Sequence, residues 1–365
     1  MENFVVSARK YRPKGFEEVI GQEHITTTLS NAIENNHLGQ ALLFCGPRGV
    51  GKTTCARILA RMVNGFGEDE TNTLNIYELD AASNNSVDDI RNLVDQVRFP
   101  PQQGKFKVYI IDEVHMLSNA AFNAFLKTLE EPPAYAIFIL ATTEKHKIIP
   151  TILSRCQIFD FSRIQVSDSA KHLKLIAEKE GVEVEEEALH LIAQKADGAL
   201  RDALSIFDLI VTFSAGNKVT YKTVIENLHI LDYDYYFQVV TLLLAENMAG
   251  VLMVFDKVIR QGFDGHNFIV GLAEHIRNVM MAKDKETVTI LDVTSGVKQR
   301  YLDQAESADI SFLLSALNIT SICDQSYKAA KSQRLHVELA LMKMAALPQA
   351  FKMATLEEEL KKKLD

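Results

Sequence analysis

Residues 46–53, Gly-Pro-Arg-Gly-Val-Gly-Lys-Thr, have the composition and spacing of a loop that binds a polyphosphate. The glycines let backbone N–H groups turn inward around the phosphates, and a helix starting after the loop adds the positive end of its dipole. Lys52 is then placed to reach the β- and γ-phosphates, and Thr53 to join the shell of a Mg²⁺ ion. The alternative is a glycine-rich turn with an exposed lysine. The apolar run before the loop and the helical pattern after it favour the phosphate site.

A second candidate group lies about 60 residues later, where the apolar run 108–111 ends in Asp112 and Glu113. Asp112 is predicted to hold Mg²⁺ through water, and Glu113 to polarise an attacking water. Acidic residues at a strand end are often only a solvated terminus. Their place after a phosphate loop, between strands of the same predicted sheet, favours hydrolysis, because a protein that only binds nucleotide does not need Glu113.

Alternating strand and helix patterns over residues 41 to about 161 predict the sheet that positions both groups. Helical patterns, one of them opening with a capping box from Ser86 to Asp89, separate apolar runs that are candidate strands. Strands that are apolar on both faces and separated by helices predict a mostly parallel α/β sheet with helices on both faces. The predicted strands are 41–45, 76–80, 108–112, 136–142 and 158–161.

After residue 165 helical periodicity dominates and strand-like runs become rare. We therefore expect an α/β domain over residues 1–165, a small helical domain over 166–228 and an all-helical domain over 229–350. Residues 351–365, with glutamates placed before lysines at i,i+4 spacing, are expected to form a solvated C-terminal helix or tail.

The amino-acid composition and net charge exclude several classes of function. Apolar residues make up 47% of the 365 residues, which is typical of a globular protein. The net charge of −9 excludes a basic coat for nucleic acid, although a local basic strip remains possible. No apolar run is long enough for a membrane span or a secretory signal. The four scattered cysteines argue against a disulfide framework and a sulfur-rich zinc site. A cytoplasmic location is the default expectation.

Further strings carry a family resemblance. Thr142-Thr143, Ser154-Arg155-Cys156 and Gly198–Ala203, together with the two groups above, resemble the AAA+ ATPases. Within that class, the chain from residue 3 to about 345 is similar to the gamma/tau family of bacterial DNA polymerase III clamp-loader subunits. The strings that carry this similarity are Ala8–Pro13 with Gly21-Gln22, Glu78–Asn84, Asp112–Leu117, Lys127–Pro133 and Arg334–Ala340.

The resemblance implies a role for each site residue. It implies ATP and Mg²⁺ as ligands, with Thr53 and Asp112 at the metal and Glu113 at the water. Thr143 is the implied first sensor of the γ-phosphate, with Thr142 the less favoured choice, and Arg201 the second sensor on a lid. Arg155 is the implied arginine finger that serves a neighbouring subunit. The implied nucleotide contacts are Gly46, Pro47, Arg48, Gly49, Val50, Gly51, Lys52, Thr53, Thr54, Asp112 and Arg201, with Arg9, Tyr11, Arg12, Val19 and Ile20 near the adenine.

Each of these residues has a simpler interpretation. Arg155 by itself fits a surface ion pair, Thr143 a β-branched strand residue, and Arg201 an i,i+4 partner on a helix face. His115 fits a satisfied polar residue near the site, and we assign it no chemistry. The family context favours the functional interpretation for the first three.

The resemblance also implies the partners. We expect a hetero-oligomer with delta and delta-prime subunits and further copies of this chain, in which residues 166–228 form a lid and residues 229–350 an oligomerising collar. The implied function is an ATP-hydrolysing motor that opens a sliding clamp and loads it onto primer–template DNA. DNA contacts should be made to phosphates, independent of sequence. Candidates near the functional edge of the sheet are Arg98, Lys105, Lys145 and Lys147.

Two departures from the family pattern limit the expectation. Members often carry a four-cysteine zinc module where this chain has residues 61–74, which contain neither Cys nor His, so we expect no zinc. The sequence also ends near the third domain, so polymerase- and helicase-binding functions of longer tau forms are not expected of it.

Three alternatives are a branch-migration motor, a small subunit of an archaeal or eukaryotic type of clamp loader, and a non-catalytic subunit that supplies only a finger. The helical third domain and the string Arg334–Glu338 argue against the first. The intact Gly51-Lys52-Thr53 and Asp112-Glu113 disfavour the third.

Overall fold

The computed structural model describes residues 5–67, 75–102, 104–214, 218–228 and 231–364, with side chains up to residue 353. The chain divides into two compact units, Met1–Thr220 and Tyr221–Asp365. The division falls eight residues before the 228/229 boundary expected from the sequence, so that the helix at 221–228 belongs to the second unit. In the described part of the chain, no helix combines the length and apolarity that crossing a bilayer requires.

A five-stranded parallel sheet forms the centre of the first unit. Its strands are β1 (Ala41–Cys45), β2 (Ile76–Asp80), β3 (Lys107–Asp112), β4 (Ala136–Thr142) and β5 (Gln157–Asp160). Their order across the sheet is β2-β3-β4-β1-β5, with every neighbouring pair parallel. The predicted parallel α/β class is confirmed, and each strand lies within one residue of its predicted bounds.

The helices of the first unit connect the strands and then form a helical subdomain. They are α1 (Ser7–Lys10), α2 (Glu23–Glu34), α3 (Lys52–Asn64), α4 (Val87–Val97), α5 (Asn119–Glu130), α6 (Pro150–Leu153), α7 (Val166–Glu180), α8 (Glu186–Lys195) and α9 (Leu200–Phe213). Short 3-10 turns occur at Phe16–Glu18, Val114–Met116 and Lys145–Lys147. Two-residue strands β6 (Glu183–Val184) and β7 (Lys218–Val219) pair in parallel beside α7–α9.

The central strands are buried on both faces, as parallel strands covered by helices must be. Leu43, Ile111 and Leu140 pack on one face against α4 and α5, while Leu42 and Ile110 pack on the other against α2 and α3. The edge strands β2 and β5 are mostly exposed, which corrects the expectation that every strand is apolar on both faces. An edge strand has a neighbour on only one side, so part of its surface stays in water.

Local sequence signals set several helix ends. Ser86 accepts a hydrogen bond from the Asp89 N–H, and the Asp89 carboxylate accepts from the Ser86 N–H, so the predicted capping box at α4 is confirmed. The helix α5 ends at Glu130, just before Pro132-Pro133. The helices α1, α2 and α6 and the two-residue strands were not predicted, because segments this short or this polar carry little periodicity.

The second unit is helical throughout its described residues, apart from one 3-10 turn at Thr287–Ile290. Its helices are α10 (Tyr221–Leu228), α11 (Tyr233–Leu244), α12 (Met248–Arg260), α13 (Gly265–Met281), α14 (Ser295–Ser307), α15 (Ile310–Tyr327) and α16 (Gln333–Leu364). They enclose one apolar core whose largest members include Phe255, Phe268 and Tyr301. The backbone of α16 continues through most of the segment predicted to be a solvated tail. Its side chains from residue 354 and the whole of Asp365 lie outside the described residues.

The capping box at α4 allows a stability test. Ser86→Ala is expected to lower the free energy of unfolding of the first unit by about 1 kcal/mol, because it removes the oxygen that accepts the Asp89 N–H. Urea unfolding and amide hydrogen exchange in α4 measure the effect. Ser205→Ala is the control, since this exposed hydroxyl donates to the Arg201 carbonyl within α9 and caps nothing. Equal losses of unfolding free energy in both variants would contradict the role of Ser86 as the N-cap of α4.

The buried His275 predicts a pH dependence in the second unit. It is 2% exposed, and burial lowers its pKa to about 4, while a 2.7 Å contact with Gln304 Oε1 acts in the opposite direction. An unfolded histidine has a pKa of about 6.5. The unfolded state therefore binds more protons between these two pH values, and stability falls as the pH drops through that window, by at most about 1.4 kcal/mol per pH unit.

Thermal unfolding of the second unit from pH 7 to pH 4 tests this slope. His275→Gln should flatten it, whereas His24→Gln, the same change in the first unit, should leave the slope of the second unit unchanged. An unchanged slope in His275→Gln would show that burial of this ring does not cause the acid sensitivity.

Candidate active site

A cavity of about 380 Å³ opens at the carboxyl edge of the five-stranded sheet. Most of its lining comes from four parts of the first unit: the N-terminal segment, the loop between β1 and α3 with the first turns of α3, the end of β3, and the start of α9. The predicted nucleotide residues that line it are Tyr11, Arg12, Val19, Ile20, Arg48, Gly49, Val50, Gly51, Lys52, Thr53, Thr54, Asp112, Glu113 and Arg201. The fold thus brings residues that are as far as 190 positions apart in the sequence together around one cavity.

The loop between β1 and α3 requires glycine at two positions. Gly46 has φ +144°, and a Cβ there would lie 2.4 Å from the Phe161 carbonyl oxygen, so no side chain fits. Gly51 has φ +105° and is the N-cap of α3, with open space where its Cβ would be. Because Gly51 lines the cavity, a side chain would project into the space that a phosphate needs.

Lys52 is the buried cation of the site. It is 6% exposed, and its ammonium donates to the carbonyl oxygens of Gly46 and Pro47 at 2.7 Å each. These two predicted contact residues therefore meet the lysine rather than the cavity. Burial lowers the pKa of Lys52 below its ordinary value, and the nearby Glu113 and Asp112 carboxylates oppose that shift.

Asp112 joins the two chemical groups found in the sequence. The Thr53 hydroxyl donates to Asp112 Oδ2 at 2.7 Å, and the Glu113 N–H donates to Asp112 Oδ1 at 3.0 Å. A hydroxyl and a carboxylate oxygen at this separation are hard oxygen donors suited to Mg²⁺. Among the described residues no cluster of three or more His, Cys, Asp or Glu side chains forms a protein-only metal site. Part of the interval examined for zinc, 68–74, lies outside the described residues.

Glu113 has an unusual backbone. Its φ is +47°, in the left-handed region that residues with a side chain seldom adopt. Its Oε2 accepts from the Thr143 N–H at 3.3 Å and from the Thr143 hydroxyl at 3.0 Å. The neighbouring Thr142 is fully buried and its hydroxyl faces His115 instead, at 3.0 Å from Nδ1. Of the two threonines considered as sensors, Thr143 is therefore the one in contact with the candidate base.

The start of α9 closes the cavity from the helical side. The Arg201 N–H donates to the Gly49 carbonyl at 3.4 Å. A Cβ on Gly49 would lie 3.0 Å from the Ala199 Cβ, so the loop and the helix start are in close contact. Arg201 is exposed and lines the same cavity as Lys52 and Arg48. The charges around the cavity suit a polyanion.

The N-terminal segment is fastened to α7 and α9. Ser7 donates from its N–H and its hydroxyl to the Asp208 carboxylate. Lys10 and Tyr11 both bond to Glu180, and they lower the pKa of that carboxylate. These contacts hold one wall of the cavity against the helical subdomain.

Arg9 is exposed and, unlike Ala8, Tyr11 and Arg12, does not line the cavity, so its contact with the adenine stays a prediction.

Arg155 lies away from the cavity of its own chain. It donates to Glu130 Oε1 at 2.6 Å and to the Thr151 carbonyl at 2.7 Å, between α5 and α6. Its side chain is 33% exposed.

The candidate DNA-contacting cations fall into two groups. Lys145 and Lys147 follow β4 at the carboxyl edge and pair with Asp160 and Glu144, respectively. Arg98 and Lys105 lie between α4 and β3, which is the opposite edge of the sheet, and this corrects their placement. A helix between parallel strands returns the chain to the amino edge, so residues just before a strand lie there.

Six cavity-lining residues were missing from the predicted nucleotide contacts. Arg57 follows Thr53 by one helical turn, and Leu204 follows Leu200 by the same spacing on α9, so helical periodicity offered a signal for both. The other contacts are created only by the fold and left no signal in the sequence. The six residues are Ala8, Pro13, Arg57, Ile164, Leu200 and Leu204.

Three stretches of the chain match described protein families. Residues 21–165 match "DNA polymerase III, delta subunit", and residues 169–216 match "DNA polymerase III clamp loader subunit, ATPase lid domain". Residues 219–362 match "DNA polymerase III subunits gamma and tau domain III".

Curated relatives agree with these matches. The DNA polymerase III subunit tau of Bacillus subtilis is 38% identical over 92% of this chain, and the chain spans 62% of its length. The DNA polymerase III subunit gamma of Buchnera aphidicola is 33% identical over 94% of this chain, which spans 97% of that protein. The tau subunit of Escherichia coli is 38% identical over 77% of this chain and 46% of its own length.

A solved structure of the Thermotoga maritima RuvB branch migration motor covers 64% of this chain and 78% of its own, at 24% identity and a TM-score of 0.49. A likeness at this level does not bear on the assignment. With three consecutive family matches and a relative covered almost end to end, the chain belongs to the family of DNA polymerase III gamma and tau subunits.

Proposed function

We propose that this chain is the ATP-hydrolysing motor subunit of a bacterial clamp loader, which opens a sliding clamp and loads it onto primer–template DNA. One observation carries the proposal. A single cavity collects the phosphate loop, the Asp112–Glu113 pair and Arg201 of the helical lid. Family membership supplies the context, because similar proteins are named as subunits of DNA polymerase III.

ATP is the proposed substrate. The amides of residues 48–54 and the Lys52 ammonium would hold its phosphates, and Arg201 would contact them from the lid. Tyr11, Arg12, Val19 and Ile20 would form the adenine side of the cavity. Thr53 and Asp112 would hold a Mg²⁺ ion through hydroxyl and water, and bound magnesium supplies charge neutralisation on the phosphate oxygens.

Glu113 is the proposed general base. It takes a proton from the water that attacks the γ-phosphorus, while the bond to the bridging oxygen breaks and ADP leaves. Thr143, which donates twice to Glu113 Oε2, fixes this carboxylate and is the proposed first sensor. The left-handed backbone of Glu113 points to a residue whose position is held by function rather than by local preference.

Arg155 is the proposed finger that acts on the ATP of a neighbouring subunit. Its distance from its own cavity and its partial exposure suit a residue presented to a neighbour. Hydrolysis then depends on assembly with delta, delta-prime and further copies of the chain, because the finger supplies roughly 10³-fold or more in rate. We propose that residues 166–228 act as the lid and residues 229–350 as the collar of that assembly.

A nucleotide can open or close the clamp only if it binds one of two arrangements of the assembly more tightly than the other. The ATP-bound arrangement would hold the clamp open on DNA, and hydrolysis would release it closed. Lys145 and Lys147 at the carboxyl edge are the proposed contacts to DNA phosphates, in exchange for their present partners Asp160 and Glu144.

The competing function within the same assembly is a non-catalytic subunit that supplies only a finger. A subunit of that kind needs neither a buried Lys52 beside a carboxylate pair nor a hydroxyl bonded to Asp112. These features favour the enzyme.

Replacing the proposed base separates the two functions. Glu113→Gln is expected to lower kcat for ATP by about 10²-fold or more, with little change in nucleotide affinity, because the amide cannot accept the proton. The assay uses the chain assembled with its partner subunits, clamp and primed DNA, and follows phosphate release. Glu187→Gln, the same change at an exposed position of α8, is the control. A wild-type assembly that is no faster than Glu113→Gln would refute the enzyme.

A mixing experiment tests action between subunits. Arg155→Ala chains keep an intact cavity and Lys52→Ala chains keep an intact finger. Assemblies that contain both should recover part of the activity that either variant alone lacks, since a finger of one chain then faces a cavity of the other. Arg91→Ala, at an exposed arginine of α4, is the control and should keep the full ATPase activity. No recovery in assemblies shown by mass spectrometry to be mixed would contradict the role of Arg155.

A further inference from the structure

His115 occupies a buried position beside the candidate base. It lies in the 3-10 turn directly after β3, and its side chain is only 6% exposed. Its Nδ1 lies 3.4 Å from Glu113 Oε2 and 3.0 Å from the Thr142 hydroxyl. The hydrogen-bond partner of Nδ1 is Thr142, and its approach to Glu113 Oε2 is an ion-pair distance, which attracts the carboxylate when both ring nitrogens carry a proton.

The other ring nitrogen is held as well. Nε2 lies 3.3 Å from Glu144 Oε1, and the Glu144 N–H donates to the same Thr142 hydroxyl that faces Nδ1. Glu144 is itself anchored by Lys147 at 2.9 Å. The ring thus lies between two carboxylates, and contact with both through N–H groups requires the protonated imidazolium, because a neutral imidazole carries one N–H.

Glu113 needs such support because its side chain is long and partly exposed. It is 31% exposed and has three rotatable bonds, so it can leave the line of attack at little cost. Thr143 constrains it from the end of β4, and His115 approaches the same Oε2 from the turn after β3. Hydrogen bonds from the end of β4 and an ion-pair contact from the turn after β3 therefore converge on one oxygen of the base.

We propose that His115 is a positioning residue for Glu113: it holds the carboxylate in the orientation that accepts the proton of the attacking water, and Glu144 orients the imidazole for that task. The inference rests on the hydrolysis proposed above. It replaces the interpretation of His115 as a satisfied polar residue without a role.

Two isosteric variants separate the contacts of the ring. The amide nitrogen of Asn lies close to where Nδ1 was and keeps a donor toward Glu113, whereas that of Gln lies close to Nε2 and keeps one toward Glu144. His115→Asn is expected to retain kcat within about threefold of the wild type, and His115→Gln to lose about tenfold or more. His24→Gln is the control, because this histidine is exposed on α2 and does not line the cavity.

The measurements are kcat in the full assembly, the Kd for a non-hydrolysable ATP analogue, and the thermal midpoint of the nucleotide-free chain. A loss of kcat in His115→Gln at unchanged Kd, with rescue in His115→Asn, supports the positioning role. Equal kcat in both variants, or parallel losses of Kd and thermal midpoint with kcat, would overturn it, because a merely structural histidine behaves in that way.

A double-mutant comparison tests the contact without hydrolysis. The thermal midpoints of His115→Gln, Glu113→Gln and the double variant should be non-additive if the two side chains interact. Additive shifts would overturn the inference even in an active enzyme. A wild-type assembly without ATPase activity would instead refute the proposed function, while the non-additivity would still decide whether His115 holds Glu113.

Discussion

The hydrogen bond from the Thr53 hydroxyl to Asp112 depends on a property of parallel sheets: the carboxyl ends of all strands lie at one edge. β1 and β3 flank β4, so the loop after β1 and the acids after β3 meet although 59 residues separate them in the chain. No local preference places these groups together. The arrangement therefore depends on burial of the central strands, which fixes their order and register.

The electrostatic interactions at this edge of the sheet centre on a buried cation. Lys52 is removed from water, and its charge is supported by two backbone carbonyls and by the carboxylates of Asp112 and Glu113. A buried cation of this kind has a strong interaction with an incoming polyphosphate, because little solvent screens it. Glu113, in contrast, is partly exposed, so its orientation depends on the groups that contact its carboxylate.

The helical subdomain and the N-terminal segment are mechanically joined. Asp208 of α9 and Glu180 of α7 hold the segment that contains Tyr11, and Arg201 of α9 lines the same cavity. A movement of these helices would thus shift at once the residues proposed to contact the adenine and the arginine proposed to contact the phosphates. Differential affinity for nucleotide between two positions of the lid is what such a coupling requires.

The sequence by itself determined the five strands, most longer helices of the first unit and the phosphate loop, because hydrophobic period and glycine spacing are local properties of the chain. The family resemblance supplied the roles of residues such as Arg155 that local chemistry leaves ambiguous. Only the tertiary structure decided that Arg9 does not line the cavity, that Lys105 lies at the opposite edge of the sheet, and that His115 lies between Glu113 and Glu144. Side-chain contacts between distant segments depend on strand order and on which face of a turn is buried. Neither of these is determined by the spacing of residues along one segment.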